Sequence, residues 1–319
     1  MRASTAASTA NPMIIDPKQY LLVVTGPTAV GKTSLTLQLA RFLETEIISA
    51  DSRQFYQEMC IGTARPGEKE LHLVPHHFTG HISIRDEYNV SRFESDALNL
   101  LGRLFKHHKI VIMTGGSGLY INAVCHGIDD LPDPDDTLRE ELKTIYDREG
   151  IESLRAKLRI LDPVYYSRVD VANPKRLLRA LEVCIGTGKP YSELRKNEPK
   201  PRNFEIIRIG LTREKEELNR RINDRVDRMM KDGLLAEVEQ LLPYRQFNAL
   251  NTVGYKEFFP YFSGEISLDM AIANVKTHSR RYAKRQMTWF RKDGNITWFH
   301  PDQVTEILNF VRQRSLTSS

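Results

Sequence analysis

The sequence predicts an α/β fold, a parallel sheet with helices on its faces, interrupted by an inserted all-helical subdomain. Two observations carry this. Short apolar runs alternate with stretches of helical period, and strands that alternate with helices pair in parallel. Between two such regions lies a long segment with helical patterning only.

The elements follow in order. Residues 21–25 form an apolar run that enters a Gly-containing turn, and residues 33–42 then repeat at helical spacing, giving strand, loop and helix. Residues 46–50 and 110–114 read as further buried strands, with the amphipathic stretch 91–105 as a helix between them. The pattern changes after Gly127. Residues 129–136 are rich in Asp and Pro, and only helices are predicted from there to about residue 196. Strand character returns at 204–211, helices follow to about 292, and 296–299 is one more strand before a last helix. The expected organisation is a flexible tail at 1–19, an α/β core from 20–126 and 201–319, and an inserted helical domain at 127–200.

Composition sets bounds on function. The chain has 319 residues, of which 40% are hydrophobic, enough for a substantial core. A net charge of +5 favours a polyanionic partner without requiring one. The three cysteines, Cys60, Cys125 and Cys184, are widely separated, so no disulfide framework or cysteine zinc finger is expected and a reducing cytoplasm fits best. No apolar run reaches the roughly 18 to 20 residues that span a bilayer, so no membrane partner is expected. The Ser/Thr/Ala-rich opening lacks the apolar segment of a secretory signal.

Residues 26–33, GPTAVGKT, match G-x-x-x-x-G-K-[ST] between a strand and a helix, so the core is predicted to be a P-loop core. In such a loop the backbone of Gly26, Pro27, Thr28, Ala29, Val30 and Gly31 wraps phosphate oxygens. Lys32 adds a point charge, and Thr33 offers a hydroxyl to Mg²⁺. Enzymes that transfer a γ-phosphoryl group usually add an apolar strand ending in a metal-holding Asp. Here the strand at 110–114 runs into Gly115-Gly116, a poor fit to an ATPase. The buried strand that does deliver a carboxylate to its C-terminal end is 46–50, followed by Asp51. Asp51 has two readings from spacing alone. It caps the next turn or holds Mg²⁺ through water, or it acts as general base for a nucleophile beside bound phosphate. Ser52, Arg53 and Gln54 add donors suited to phosphate or base edges.

From about residue 21 to 299 the chain resembles the tRNA dimethylallyltransferases, also called tRNA isopentenyltransferases. The resemblance rests on GPTAVGKT at 26–33, SADSRQFY at 49–56, GTARP at 62–66, PHH at 75–77 and GGSGLY at 115–120. It continues with NPKRLLRALEV at 173–183, ALNTVGYKE at 249–257 and RRYAKRQMTWFR at 280–291. It implies that the loop holds the diphosphate of dimethylallyl diphosphate and that Asp51 is general base on the exocyclic amine of an adenine. Lys32, Thr33 and Mg²⁺ would then neutralise the leaving diphosphate. The implied target is the adenosine 3′ of the anticodon in tRNAs reading U-starting codons, so the partner is a tRNA anticodon stem-loop.

For RNA contact the resemblance points to Asp51, Ser52, Arg53, Gln54 and Ser117, the last standing where relatives often have Thr. It also points to Arg139 and to Lys175, Arg176, Leu177, Leu178 and Arg179, where Arg176 and Arg179 share a helix face. Residues 276–292 carry seven Lys or Arg and no acid, interleaved with Tyr282, Trp289 and Phe290. By itself this reads as an amphipathic helix with solvated charges. With the resemblance, Arg281, Lys284 and Arg285 become an RNA phosphate surface beside stackable rings. The adjacent pairs His76-His77 and His107-His108 point to opposite faces, so no zinc site is expected, and the PHH motif is given no chemical role beyond positioning a loop. The adenine amine lies in a stacked loop and has to be flipped out, reaching the allylic carbon through a channel between core and insert. A monomer is expected. The competing readings are a P-loop kinase for a small molecule and a non-catalytic ATP-dependent RNA-binding switch.

Overall fold

The computed structural model describes residues 18–132, 135–196 and 198–316, so the expected tail lies outside the described residues apart from its last two. In chain order the first elements are β1 (Tyr20–Thr25), α1 (Lys32–Phe42), β2 (Ile47–Ser49), α2 (Glu68–Leu73), β3 (His76–His77), α3 (Val90–Leu104), β4 (Ile110–Gly115) and α4 (Gly118–His126). Then come α5 (Asp136–Glu149), α6 (Ile151–Leu161), α7 (Pro163–Tyr166), α8 (Pro174–Thr187) and α9 (Tyr191–Leu194). The chain closes with β5 (Glu205–Leu211), α10 (Lys215–Lys231), α11 (Leu234–Leu241), α12 (Phe259–Phe262), α13 (Leu268–Phe290), β6 (Thr297–Phe299) and α14 (Val304–Leu316).

The fold is α/β. Six strands form one parallel sheet in the order β3-β2-β4-β1-β5-β6. All of β1 is buried, which suits its uninterrupted YLLVVT run, since a central parallel strand is covered on both faces. Leu22, Val24, Ile112 and Ile209 of the sheet pack with Leu35 and Leu39 of α1 and with Ile307 and Val311 of α14. β2 is shorter than predicted by one residue at each end, and Glu46, just before it, places its carboxylate 2.6 Å from His77 Nε2 and 3.5 Å from His108 Nε2. β3 is not among the predicted strands. Two residues are too short to show a period, and only pairing with Ile47 and Ile48 makes them a strand.

The chain folds into two compact units. The first takes in residues up to 88, 95–121 and from 202 on; the second takes in 89–94 and 122–201. In the second, Leu142, Leu154, Leu158, Leu177 and Leu181 form the core between α5, α6 and α8. Asn173 caps α8 by accepting from Arg176 N, and Pro174 opens the helix, so the Asn-Pro pair sets where it starts. Buried Asp162 accepts from Tyr165 N at 2.8 Å and from Ser192 N and Oγ at 2.7 and 2.8 Å, tying α7 to α9.

The first unit holds a second core in which α10, α11 and α13 pack around Tyr255 and Phe258. Its polar anchor is Glu237, whose carboxylate accepts from Cys60 N, Ile61 N and Gly62 N at 2.8 to 3.0 Å and from Tyr255 Oη at 2.6 Å. Burial, with the Glu237 carboxylate beside it, pushes the Tyr255 phenol well above its ordinary range. Glu237→Ala leaves three N–H groups and a hydroxyl without their acceptor, and an unmade bond to a charged group costs about 1.5 to 3 kcal/mol. Urea unfolding of Glu237→Ala is therefore expected to lose about 3 kcal/mol. A loss under about 0.5 kcal/mol, the level of an ordinary surface change, would show that this carboxylate does not anchor the loop.

Candidate active site

The site lies at the carboxyl edge of the sheet, where ligands bind in open parallel sheets. Ser49 of β2 and Val24 of β1 both register with Thr114 of β4, so β2, β4 and β1 end level and their following loops meet. Ala50 N donates to Thr114 O at 2.7 Å and Ser117 N to Ala50 O at 3.3 Å, which brings the Asp51 turn against the GGSG turn. Lys32, Thr33, Thr36, Ser49, Asp51, Gln54, Pro66, His76, Thr114 and Gly115 line a small cavity at this edge.

The predicted phosphate loop has the backbone its chemistry needs. Gly26 and Gly31 take φ of 150° and 114°, and Ala29 takes 63°. Gly31 precedes α1 with no side-chain cap and no acid in the first turn, so the helix presents its N–H groups to an anion. Two of the loop carbonyls, Ala29 O and Val30 O, are held by arginines. Arg221 Nε donates to Ala29 O at 2.9 Å and Arg213 Nε to Val30 O at 2.8 Å, while Arg213 also bonds Glu217 and Asp302.

Lys32 Nζ donates to Gly26 O and Pro27 O, both at 2.9 Å. Burial lowers its pKa to about 8; Asp51 nearby pulls it up, and Arg225 pushes it down further. Arg225, which belongs to none of the sequence motifs, is half-buried, and desolvation pulls its guanidinium below the usual range against the attraction of Asp51. Its position four residues after Arg221 on an amphipathic helix is the one signal the sequence carries for it. Two cations thus face one carboxylate, a balance suited to a polyanion. Tyr282, on the inner side of α13, is pushed above the usual phenol range by burial and then by Asp51.

Asp51 Oδ1 accepts from Arg53 N at 3.1 Å. Ser52 N donates to Ser117 Oγ at 3.0 Å, and the two hydroxyls are 3.1 Å apart. Arg53 donates to Asn248 O, and the Gln54 amide to Thr63 O and Ala64 O, so Gln54 supports the loop after β2. His76, given only a loop-positioning role from sequence, lines the cavity. Its Nδ1 lies 2.8 Å from Val74 O, and burial lowers its pKa.

Arg281, Lys284 and Arg285 are exposed on α13, while Gln286 and Phe290 of that helix are buried. In the helical unit Lys175 and Arg176 are exposed, whereas Arg139 and Arg179 lie 3.3 and 3.6 Å from the buried carboxylate of Glu182. Leu178 is half-buried. Leu177 is fully buried in that unit's core, so its side chain supports the helix and offers RNA no surface.

Inorganic diphosphate is expected to bind tightest below pH 8 and to weaken as pH rises through that value. There the free Lys32 ammonium loses its proton, and the bound anion favours keeping it. The ratio of wild-type affinity to that of Lys32→Arg, measured by calorimetry, cancels the anion's own titration. A flat ratio from about pH 7 to 9 would show that Lys32 does not titrate there.

The model of the IPP transferase family matches residues 54–293. The chain is 51% identical over 297 residues to the tRNA dimethylallyltransferase 1 of Bacteroides thetaiotaomicron, covering 93% of this chain and 96% of that protein. It is 52% identical over 296 residues to the tRNA dimethylallyltransferase of Christiangramia forsetii, covering 92% and 98%. Among solved structures, the tRNA isopentenylpyrophosphate transferase of Bacillus halodurans superposes with a TM-score of 0.69 at 37% identity, over 93% of this chain and 97% of that one. A eukaryotic dimethylallyltransferase acting on tRNA superposes with a TM-score of 0.73 at 27% identity, over 93% and 78%.

Proposed function

The chain belongs to the IPP transferase family, the tRNA dimethylallyltransferases, and from that premise we propose that its P-loop grips the diphosphate of dimethylallyl diphosphate while Asp51 activates an adenosine amine of tRNA. The family reaction is prenyl transfer to a tRNA adenosine. One observation supports this assignment of sites most directly. β4 ends in Gly115-Gly116 with no metal-holding carboxylate, whereas the carboxylate that faces Lys32 and Arg225 follows β2, where a base is needed.

In the proposed step the adenine N6 attacks C1 of the dimethylallyl group. The N6–C1 bond forms, the C1–O bond breaks, and the diphosphate leaves with the bonding electrons. The N6 proton passes to the Asp51 carboxylate. The N–H groups of residues 31–33 at the start of α1, the Lys32 ammonium and the Arg225 guanidinium stabilise the charge gathering on the leaving oxygens. Ser117, bonded to Ser52, is placed to orient the adenosine.

Mg²⁺ fits these residues. Among the described residues there is no cluster of three metal-ligating side chains, and Thr33 shares the cavity with a single carboxylate. Such a site suits an ion that keeps several waters and takes its other oxygens from substrate phosphates. Thr33 would hold it, and when bound it supplies charge neutralisation to the diphosphate.

The acceptor we propose is the adenosine 3′ of the anticodon in tRNAs reading codons that begin with U, held as part of the anticodon stem-loop. Arg281, Lys284 and Arg285 meet its phosphates. Arg139, Lys175, Arg176, Leu178 and Arg179 form the RNA face of the helical unit. The enzyme works as a monomer in the cytoplasm, and no helix among the described residues is long and apolar enough to cross a membrane.

Asp51→Ala should lower the single-turnover prenylation rate by about 10² to 10⁴, the range for a lost general base, with tRNA affinity little changed. Mass spectrometry of tRNA nucleosides after incubation with dimethylallyl diphosphate reads this, and a near wild-type rate removes Asp51 as base. Each neutralisation among Arg281, Lys284 and Arg285 should flatten the dependence of log affinity on log salt by about 0.7, as for single-stranded contacts. A slope unchanged in the triple variant would move RNA off this face.

A further inference from the structure

The ladder that fixes β1 against β4 ends at the pair Thr25 and Gly115. Beyond it the backbone splits into the phosphate loop on one side and the GGSG turn on the other. Gln286 of α13 spans the gap. Its Oε1 accepts from Thr28 N at 2.9 Å, and its Nε2 donates to Gly116 O at 3.0 Å. The residue is only 6% exposed, and its two partners define which end of the amide is oxygen, because Thr28 brings a donor and Gly116 an acceptor.

The surrounding sequence is built to admit this side chain. A Cβ at Gly116 would lie 2.2 Å from Gln286 Nε2 and 3.8 Å from Asp51 Oδ2, so the amide stands directly over the turn that carries the wall of the Asp51 site. A Cβ at Gly118 would lie 2.1 Å from Trp289 Nε1, so α13 packs on the same turn a second time, one helical turn along. The turn also holds Asp51 in place, through Ser117 N to Ala50 O and Ser52 N to Ser117 Oγ.

We propose that Gln286 is a positioning residue for the prenyl transfer, a side-chain rung that continues the β1–β4 ladder past the end of the sheet and so sets the spacing between the diphosphate cradle and Asp51. This rests on the reading of Asp51 as the base. A glutamine is needed for three reasons. Glutamate would set a carboxylate oxygen against Gly116 O; asparagine is one methylene short of reaching both partners; an aliphatic side chain would leave a buried N–H and a buried carbonyl unmatched. The rung also takes the Thr28 N–H away from phosphate, leaving the grip to the later loop residues and the start of α1. Rates of transfer between two bound reactants are sensitive to such spacing, with a misplacement of about 1 Å able to cost about a hundredfold.

The test uses the full chain, with dimethylallyl diphosphate, tRNA and inorganic diphosphate as probes. Gln286→Met keeps the shape and removes both hydrogen bonds; Gly116→Ala keeps the amide and displaces it. Each should slow single-turnover transfer at saturating substrates by about ten- to a hundredfold. Each should also weaken inhibition by inorganic diphosphate severalfold and leave the KM for tRNA within about threefold. Because both break one rung, the double variant should be no slower than the worse single within about threefold. A single-turnover rate in Gln286→Met within about twofold of wild type, a loss confined to the KM for tRNA, or multiplying losses in the double variant would each overturn the proposal. If Gln286→Met does not fold, Gly116→Ala and Gln286→Asn carry the same comparison. Asp51→Asn turning over at the wild-type rate would overturn the base assignment by itself, whereas wild-type inhibition by diphosphate in Gln286→Met would overturn the rung with the base assignment intact.

Discussion

Everything at this site depends on one exposed set of partial charges: the N–H groups at the start of α1, left without a side-chain cap by Gly31. A helix start is ordinarily quieted by a Ser, Asp or Asn side chain. Here two carbonyls of the loop that leads into it, Ala29 O and Val30 O, are held by arginines from α10 and from beyond the end of β5. The proposed anion site thus rests on backbone held in place by side chains from outside the loop, the kind of preorganised arrangement that incurs little reorganisation when charge develops on it.

That arrangement explains the cationic character of the cavity. Lys32 and Arg225 are both desolvated and both close enough to Asp51 to feel its charge. Desolvation alone would favour neutral forms, and the carboxylate offsets part of that cost. The structural element that binds the edges of this cavity together is α13. Its exposed side carries Arg281, Lys284 and Arg285, and its buried side carries Gln286 against the phosphate loop and the GGSG turn. One helix therefore presents charge to solvent on one side and joins the phosphate loop to the GGSG turn on the other.

Carboxylates do much of the positioning elsewhere. Glu237 fills a concavity of three backbone amides, and Glu182 gathers Arg139 and Arg179. These acids are invisible to a reading that looks for basic residues and motifs. Each is an ordinary glutamate on an amphipathic helix until folding brings its partners from distant sequence.

The sequence by itself determined the α/β architecture, the phosphate loop and the family. All three are written in short-range patterns: an apolar run before a glycine turn, helical period after it, and motifs whose residues are neighbours in the chain. The start of α1 was legible for the same reason. Only the tertiary structure decided the two-residue strand β3, the surroundings of Arg225, His76, Gln286 and Glu237, and the burial of Leu177. Each depends on contacts between residues far apart in sequence, such as Thr28 with Gln286 or Cys60 with Glu237. A local pattern fixes the direction in which a side chain leaves its helix, but the packing of other elements decides what it meets there.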